Sequence, residues 1–170
     1  MDLKQIIRTI PDFPEKGILF RDITTVLKDP DALAAAVGQM VDSVKNIDFD
    51  LVIGPESRGF IFGVPVACIL KKGFVPVRKA GKLPFDTVKK TYSLEYGKAE
   101  LEIHTDAIKP GQRVVIIDDL LATGGTSKAI AELIEEVGGK VAHISFLIEL
   151  EALGGREFLT GYQISSQIVY

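Results

Sequence analysis

The apolar positions of this chain fall into short continuous runs separated by stretches of helical period. Leu51-Val52-Ile53, Phe74-Val75-Pro76-Val77, Val114 to Ile117 and Val141 to Leu150 are rich in β-branched residues, the pattern of strands covered on both faces. Between them the spacing predicts a helix from Gly59 to Lys72 with Gly73 as its C-terminal cap, and another from about Thr126 to Val137 closed by Gly138-Gly139. Upstream, Asp29-Pro30-Asp31 reads as an N-cap with proline in the first helical position, launching an Ala-rich helix to about Lys45. Ile164 to Tyr170 adds a last strand. Strands alternating with helices predict an α/β fold built on a mainly parallel central sheet flanked by helices. Pro76 lacks a ladder donor, so its strand is expected at an edge or a bulge.

Two segments depart from this alternation. Tyr92 to Tyr96 and Ala99 to His104 alternate polar and apolar residues and predict a hairpin around Gly97-Lys98. Arg78 to Lys90 is polar, basic and without period; a loop of that length inside a compact domain reads as a lid or binding loop.

Composition narrows the class. The 170 residues, 46% hydrophobic and 25% charged, are expected to form a single domain, 1–170, with a real core. A net charge of −3 leaves no global basic excess for a nucleic-acid partner. No apolar run has transmembrane length and the N-terminus resembles no signal peptide, so no membrane partner is expected. The lone Cys68, set in Val64 to Leu70, reads as a small buried hydrophobe and fits a cytoplasmic location. His104 and His143 form no metal-ligand pattern and read as structural.

The chemistry concentrates in Val114 to Thr126. An apolar strand ends in Asp118-Asp119, followed by the small-residue loop Leu120 to Thr126 and a helix. Open α/β sheets bind ligands at this end of their strands. Ala122, Thr123, Gly124, Gly125 and Thr126 would turn backbone N–H groups inward at the helix start, a nest for a phosphate monoester. A plain Thr-capped turn would explain any one of these features alone, and no lysine follows the glycines as in a nucleotide P-loop. Ile53 to Phe60 repeats the strand-to-helix logic, with Glu56, Ser57 and Arg58 placed to bind a second anion. In the basic stretch Arg78, Lys79 and Lys82 are the favoured ligand contacts, whereas Lys89 and Lys90 suit a solvated charge run.

Val114 to Thr126 resembles the 5-phosphoribosyl-1-diphosphate binding motif of the type I phosphoribosyltransferases. That resemblance implies the type I phosphoribosyltransferase fold, with a flexible lid or hairpin and a small N-terminal hood. It also implies that Asp118 and Asp119 hold the ribose hydroxyls, that Ala122 to Thr126 take the 5′-phosphate, and that Glu56, Ser57 and Arg58 hold the diphosphate. Arg78-Lys79-Ala80-Gly81-Lys82-Leu83-Pro84, Tyr92-Ser93-Leu94-Glu95-Tyr96-Gly97, Pro11-Asp12-Phe13-Pro14, Gly17 to Ile23 and Val26 to Pro30 resemble the adenine-specific branch of that family. By this likeness the reaction joins adenine to 5-phosphoribosyl-1-diphosphate, giving AMP and pyrophosphate with Mg²⁺ as cofactor. Glu95 would manage the purine proton and Tyr96 would help hold the closed lid. Backbone groups of Leu19, Phe20 and Arg21 would read the exocyclic amine, and Leu19 and Leu150 would sandwich the ring. The metal would be held mainly by substrate, with Asp118 and Asp119 reaching it through water. A homodimer is implied as well. Two alternatives stand beside this reading: a transferase for xanthine or guanine, and a non-catalytic regulator on the same fold.

Overall fold

The structure, a computed structural model, describes residues 1–94 and 97–170. It comprises two compact units, residues 1–39 and residues 40–170.

The first unit contains α1 (Leu3–Ile6), β1 (Arg8–Pro11), β2 (Leu19–Asp22) and α2 (Thr24–Leu27). The two strands form an antiparallel ribbon pairing Arg8 with Asp22 and Pro11 with Leu19. Gly17, at φ +92°, donates its N–H to the Asp12 carboxylate within the connecting turn, and the rings of Phe13 and Phe20 meet edge to face at 5.1 Å. Helix α3 (Pro30–Val44) begins in this unit and ends in the next. Its start is as the sequence predicts, because the Asp29 carboxylate accepts the N–H groups of Asp31 and Ala32.

The second unit holds a sheet of seven strands among the described residues: β3 (Leu51–Pro55), β4 (Gly73–Lys79), β5 (Thr87–Leu94), β6 (Gly97–His104), β7 (Arg113–Leu121), β8 (Lys140–Glu149) and β9 (Ile164–Val169). Their spatial order is β5-β6-β4-β3-β7-β8-β9. β4, β3, β7, β8 and β9 run parallel, while the β5–β6 hairpin joins antiparallel to the end of β4. Helix α4 (Arg58–Ile69) follows β3, and α5 (Gly125–Glu136) follows β7. The chain leaves β3 for β4 on one side, and β7 to β9 lie on the other. The carboxyl ends of β3 and β7 therefore flank the point where strand order reverses, the crevice where such sheets bind ligands. The core centres on β7, whose Val114 to Ile117 are fully buried.

Four details differ from the sequence reading. Gly73 does not cap α4; Lys71 takes the left-handed turn at φ +55° and Gly73 opens β4 against Leu51. A Cβ at Gly73 would lie 2.9 Å from the Leu51 side chain, so close strand approach, not helix capping, accounts for this glycine. Cys68 is exposed, because α4 buries Gly59, Phe62, Gly63, Val66 and Ala67, an i, i+3, i+4 stripe that Cys68 misses. The basic stretch is shorter as a loop: Arg78 and Lys79 end β4, and Thr87 to Lys90 already belong to β5. The hairpin register pairs Leu94 with Gly97 and Ser93 with Lys98, so Gly97 and Lys98 are strand residues. The expectation for Pro76 holds, since β6 pairs with β4 only at Arg78 and Lys79, beyond the proline.

Candidate active site

A cleft of about 470 Å³ opens at the carboxyl ends of β3 and β7. It is lined by Glu56, Ser57 and Arg58 from the first strand-to-helix junction and by Asp118, Asp119 and Ala122 to Ser127 from the second. Lys79 at the end of β4, Tyr92 of β5 and Leu101 of β6 complete its wall. The sequence motifs thus converge on one cavity of small-ligand size.

The acids do not terminate their strand. β7 continues through Leu120 and Leu121, and Leu121 accepts the Leu150 N–H at its carbonyl, 2.9 Å away. Asp118 and Asp119 are both buried, and the Asp118 carboxylate accepts the Asp119 N–H at 2.8 Å. Burial first, and then the neighbouring Asp119 charge, push the Asp118 carboxyl well above the usual carboxylate range. Burial also raises Asp119, while Arg58, with Nε 2.8 Å from Asp119 Oδ2, pulls it down. The cleft therefore holds two carboxyls with one guanidinium against them. Such a pair is suited to hydroxyl donors or a cation that restores the balance of charge.

Beyond β7 the loop presents donors. Gly124 adopts φ +87° and stands at the N-cap of α5 with no side-chain cap. Among the described residues no acceptor takes the backbone N–H of Thr123, Gly124, Gly125, Thr126 or Ser127, and the helix ladder begins with Lys128 donating to the Gly124 carbonyl at 2.9 Å. Five successive amides at a helix start form an anion-binding concavity. The Thr126 hydroxyl lies 3.5 Å from that of Tyr92, which brings a hairpin residue to the rim.

The junction after β3 is held by close packing. The Glu56–Ser57 peptide is cis. A Cβ on Gly59 would stand 2.5 Å from the Pro55 ring and 3.1 Å from the Ile117 carbonyl oxygen, so α4 can start this near β7 only with glycine there. Glu56 turns towards β4: its carboxylate accepts the Lys79 N–H at 2.7 Å and the Arg78 Nε–H at 3.1 Å. The Lys79 bond foremost, with help from Arg78, holds the Glu56 carboxyl below its ordinary value.

Not every predicted residue lines the cavity. Arg78 pairs with Glu56, Lys82 gives its N–H to the buried Glu102 at 2.8 Å, and neither they nor Leu150 form part of the wall. Lys90 pairs with Glu132 at 2.9 Å and Lys89 Nζ stands 3.9 Å from Glu102, so both lysines of the expected solvated run, though part-exposed, have a carboxylate beside them. Leu19, Phe20 and Arg21 lie on β2 in the first unit. Glu95 and Tyr96 lie outside the described residues. His143 bonds Ser165 at 2.9 Å and His104 accepts the Phe85 N–H, the structural roles predicted. Sequence reasoning passed over Tyr92 and Glu102. Tyr92 was signalled by its spacing of four from Val88 on one hairpin face, and both pack against the core.

Comparison with known proteins gives the same assignment. The phosphoribosyl transferase domain model matches residues 23–158. The adenine phosphoribosyltransferase of Lachnoclostridium phytofermentans is 60% identical over 168 residues, covering 99% of this chain and 97% of that protein. The crystal structure of adenine phosphoribosyltransferase from Thermoanaerobacter pseudethanolicus superposes with a TM-score of 0.96 at 54% identity, over 99% of this chain and 98% of its own. The Saccharomyces cerevisiae enzyme, crystallised with adenine and an imino-altritol bisphosphate, gives a TM-score of 0.91 at 38% identity, over 98% and 96%. With a buried acid pair, an open amide loop and full-length likeness in agreement, this chain belongs to the adenine phosphoribosyltransferase family of phosphoribosyltransferases.

Proposed function

We propose that this chain transfers the 5-phosphoribosyl group of 5-phosphoribosyl-1-diphosphate to adenine, releasing pyrophosphate and AMP, a purine-salvage reaction. One observation carries the reading: two buried acids and five residues whose amides have no acceptor among the described residues line a single cleft. The amides of residues 123–127 take the 5′-phosphate, and Asp118 and Asp119 take the ribose hydroxyls. That grip fixes the anomeric carbon between them, and the anionic pair favours the positive charge that develops there as pyrophosphate departs. Arg58 and Lys79 face the leaving group, whose charge they neutralise, with Ser57 offering further polar contact at the same junction. Glu95 accepts the proton displaced from the purine as its nitrogen attacks, and Tyr96 helps hold the closed lid.

A divalent cation fits the donor set, because two buried carboxyls line the cleft side by side with Arg58 as the cation paired to them. No cluster of three or more metal-ligating side chains occurs among the described residues, so Mg²⁺ would be held mainly by substrate oxygens, with Asp118 and Asp119 reaching it through water. Bound there, it would supply Lewis acidity towards the diphosphate. Recognition of the exocyclic amine by backbone groups of Leu19, Phe20 and Arg21, as the family resemblance implies, is part of the proposal. Ser145 to Leu150 contains no lysine to read a 6-oxo group, which favours adenine over guanine or hypoxanthine. A cytoplasmic homodimer is part of the proposal. No helix among the described residues is long and apolar enough to cross a membrane.

The test is incubation with Mg²⁺, the sugar diphosphate and an equimolar mixture of adenine, guanine, hypoxanthine and xanthine. AMP as the dominant nucleotide, with stoichiometric pyrophosphate, supports the proposal; another nucleotide reassigns the base, and none removes the activity.

A further inference from the structure

The phosphate loop has a floor that the reaction does not use. After β8 the chain forms a 3-10 turn (Glu151–Leu153) and then α6 (Gly155–Phe158), which passes directly beneath residues 121–124. A Cβ on Gly155 would overlap the Ala122 carbonyl oxygen and stand 2.8 Å from the Leu121 side chain. In return, a Cβ on Gly124 would meet the Gly155 carbonyl oxygen at 2.9 Å and the side chains of Leu159 and Phe158 at 3.3 Å. Two glycines thus face each other backbone to backbone, one in the loop and one in its support. Arg156, the next residue, fastens that support. Its Nε donates to Glu149 Oε1 at 3.0 Å and its Nη2 to Oε2 at 2.5 Å, a fork-to-fork pair with a buried carboxylate at the end of β8. Nη1 also reaches the Ile164 carbonyl and Nη2 the Ser166 hydroxyl, both at 3.3 Å. One guanidinium therefore ties α6 to β8 and β9 together.

We propose that Gly155 and Arg156 are positioning residues: the Arg156–Glu149 fork clamps α6 against the back of the phosphate loop and holds residues 123–127 with their amides aimed into the cleft. This rests on the reading of that loop as the 5′-phosphate cradle. Neither residue lines the cavity, so each acts through the loop. A loop of small residues with no acceptors of its own for five amides has little internal reason to keep its shape, and the shape comes from what it lies on.

The test compares two ligand ends. Gly155→Ala forces the Ala122 carbonyl to move, Arg156→Gln removes the charged fork, and Arg156→Lys keeps the charge without the fork. Calorimetric affinities are measured for AMP, which carries the 5′-phosphate, and for pyrophosphate, which docks at the other junction. Gly155→Ala and Arg156→Gln are expected to weaken AMP about tenfold or more, with Arg156→Lys intermediate and pyrophosphate changed by less than about twofold. The KM for the sugar diphosphate rises while that for adenine holds. Should Gly155→Ala fail to fold, the two Arg156 variants carry the test. Unchanged AMP affinity, or equal losses for AMP and pyrophosphate, overturns the clamp. The cradle reading fails separately, if the unaltered protein binds adenosine as well as it binds AMP.

Discussion

Replacing Asp118 by asparagine should make the unliganded protein more stable, by an amount that grows with pH. Asp118 is 8% exposed, and burial, followed by the Asp119 charge, raises its folded pKa well above the ordinary value of 3.8. A carboxyl raised in this way binds its proton more tightly in the folded chain than in the unfolded one. Above the unfolded value, and until the folded pKa is reached, the folded state therefore holds one more proton, and stability falls as pH rises. The slope for one proton is about 1.4 kcal/mol per pH unit. For a chain of 170 residues that is a loss of about 3–5 °C in Tm per pH unit. Asparagine has no such proton, yet its side-chain carbonyl can still accept the Asp119 N–H that Asp118 Oδ1 accepts. The Tm difference, variant minus wild type, should widen by about that increment per unit from about pH 5 upwards and level off once Asp118 ionises in the folded protein. Scanning calorimetry of ligand-free protein in phosphate-free buffers reads it directly. A difference that is flat, or that narrows as pH rises, would refute the claim that burial raises this carboxyl's pKa in the folded, ligand-free chain. The same variant should lose activity, the usual relation between a strained site and its function.

Glu95→Gln should lower turnover by about 10²-fold or more while leaving affinity for the sugar diphosphate nearly intact; steady-state kinetics with calorimetric binding separates the two, and equal losses would remove Glu95 as the proton acceptor. Glu102 is buried and accepts the N–H groups of Lys82 and Leu83, both at 2.8 Å. These backbone bonds, working against burial, hold its carboxyl below the ordinary value. Glu102→Ala should therefore cost about 2 kcal/mol and speed hydrogen exchange at those two amides well before the β7 core exchanges. Unaltered exchange there would mean that the connector is held by something else.

How far the sequence foretold this structure depended on the kind of signal. β7, β8 and α5 were legible because burial on both faces, or on one helical stripe, leaves an unmistakable period. The acids and the small-residue loop were legible because those residue types at a strand-to-helix junction serve few structural ends. What escaped were tertiary roles. Arg78 and Lys82 read as ligand cations; what their local sequence did not show is that the Arg78 guanidinium pairs with Glu56 and the Lys82 N–H with Glu102, carboxylates distant in sequence. Cys68 read as core from its apolar neighbours, but a helix of high hydrophobicity such as α4 can keep one apolar side uncovered, with Val64 and Ile69 exposed beside it. Gly155 and Arg156 gave no local signal, since their importance lies in the loop at residues 121–124, far earlier in the chain.

The measurement closest to the centre of this account is a titration of isotope-labelled protein with AMP and, in parallel, with adenosine, following the backbone amide resonances of residues 123–127. The account predicts that AMP shifts these five amides strongly and slows their exchange with water, whereas adenosine leaves them nearly where they were. Equal responses to the two ligands, or amides that stay silent while AMP binds elsewhere, would contradict it.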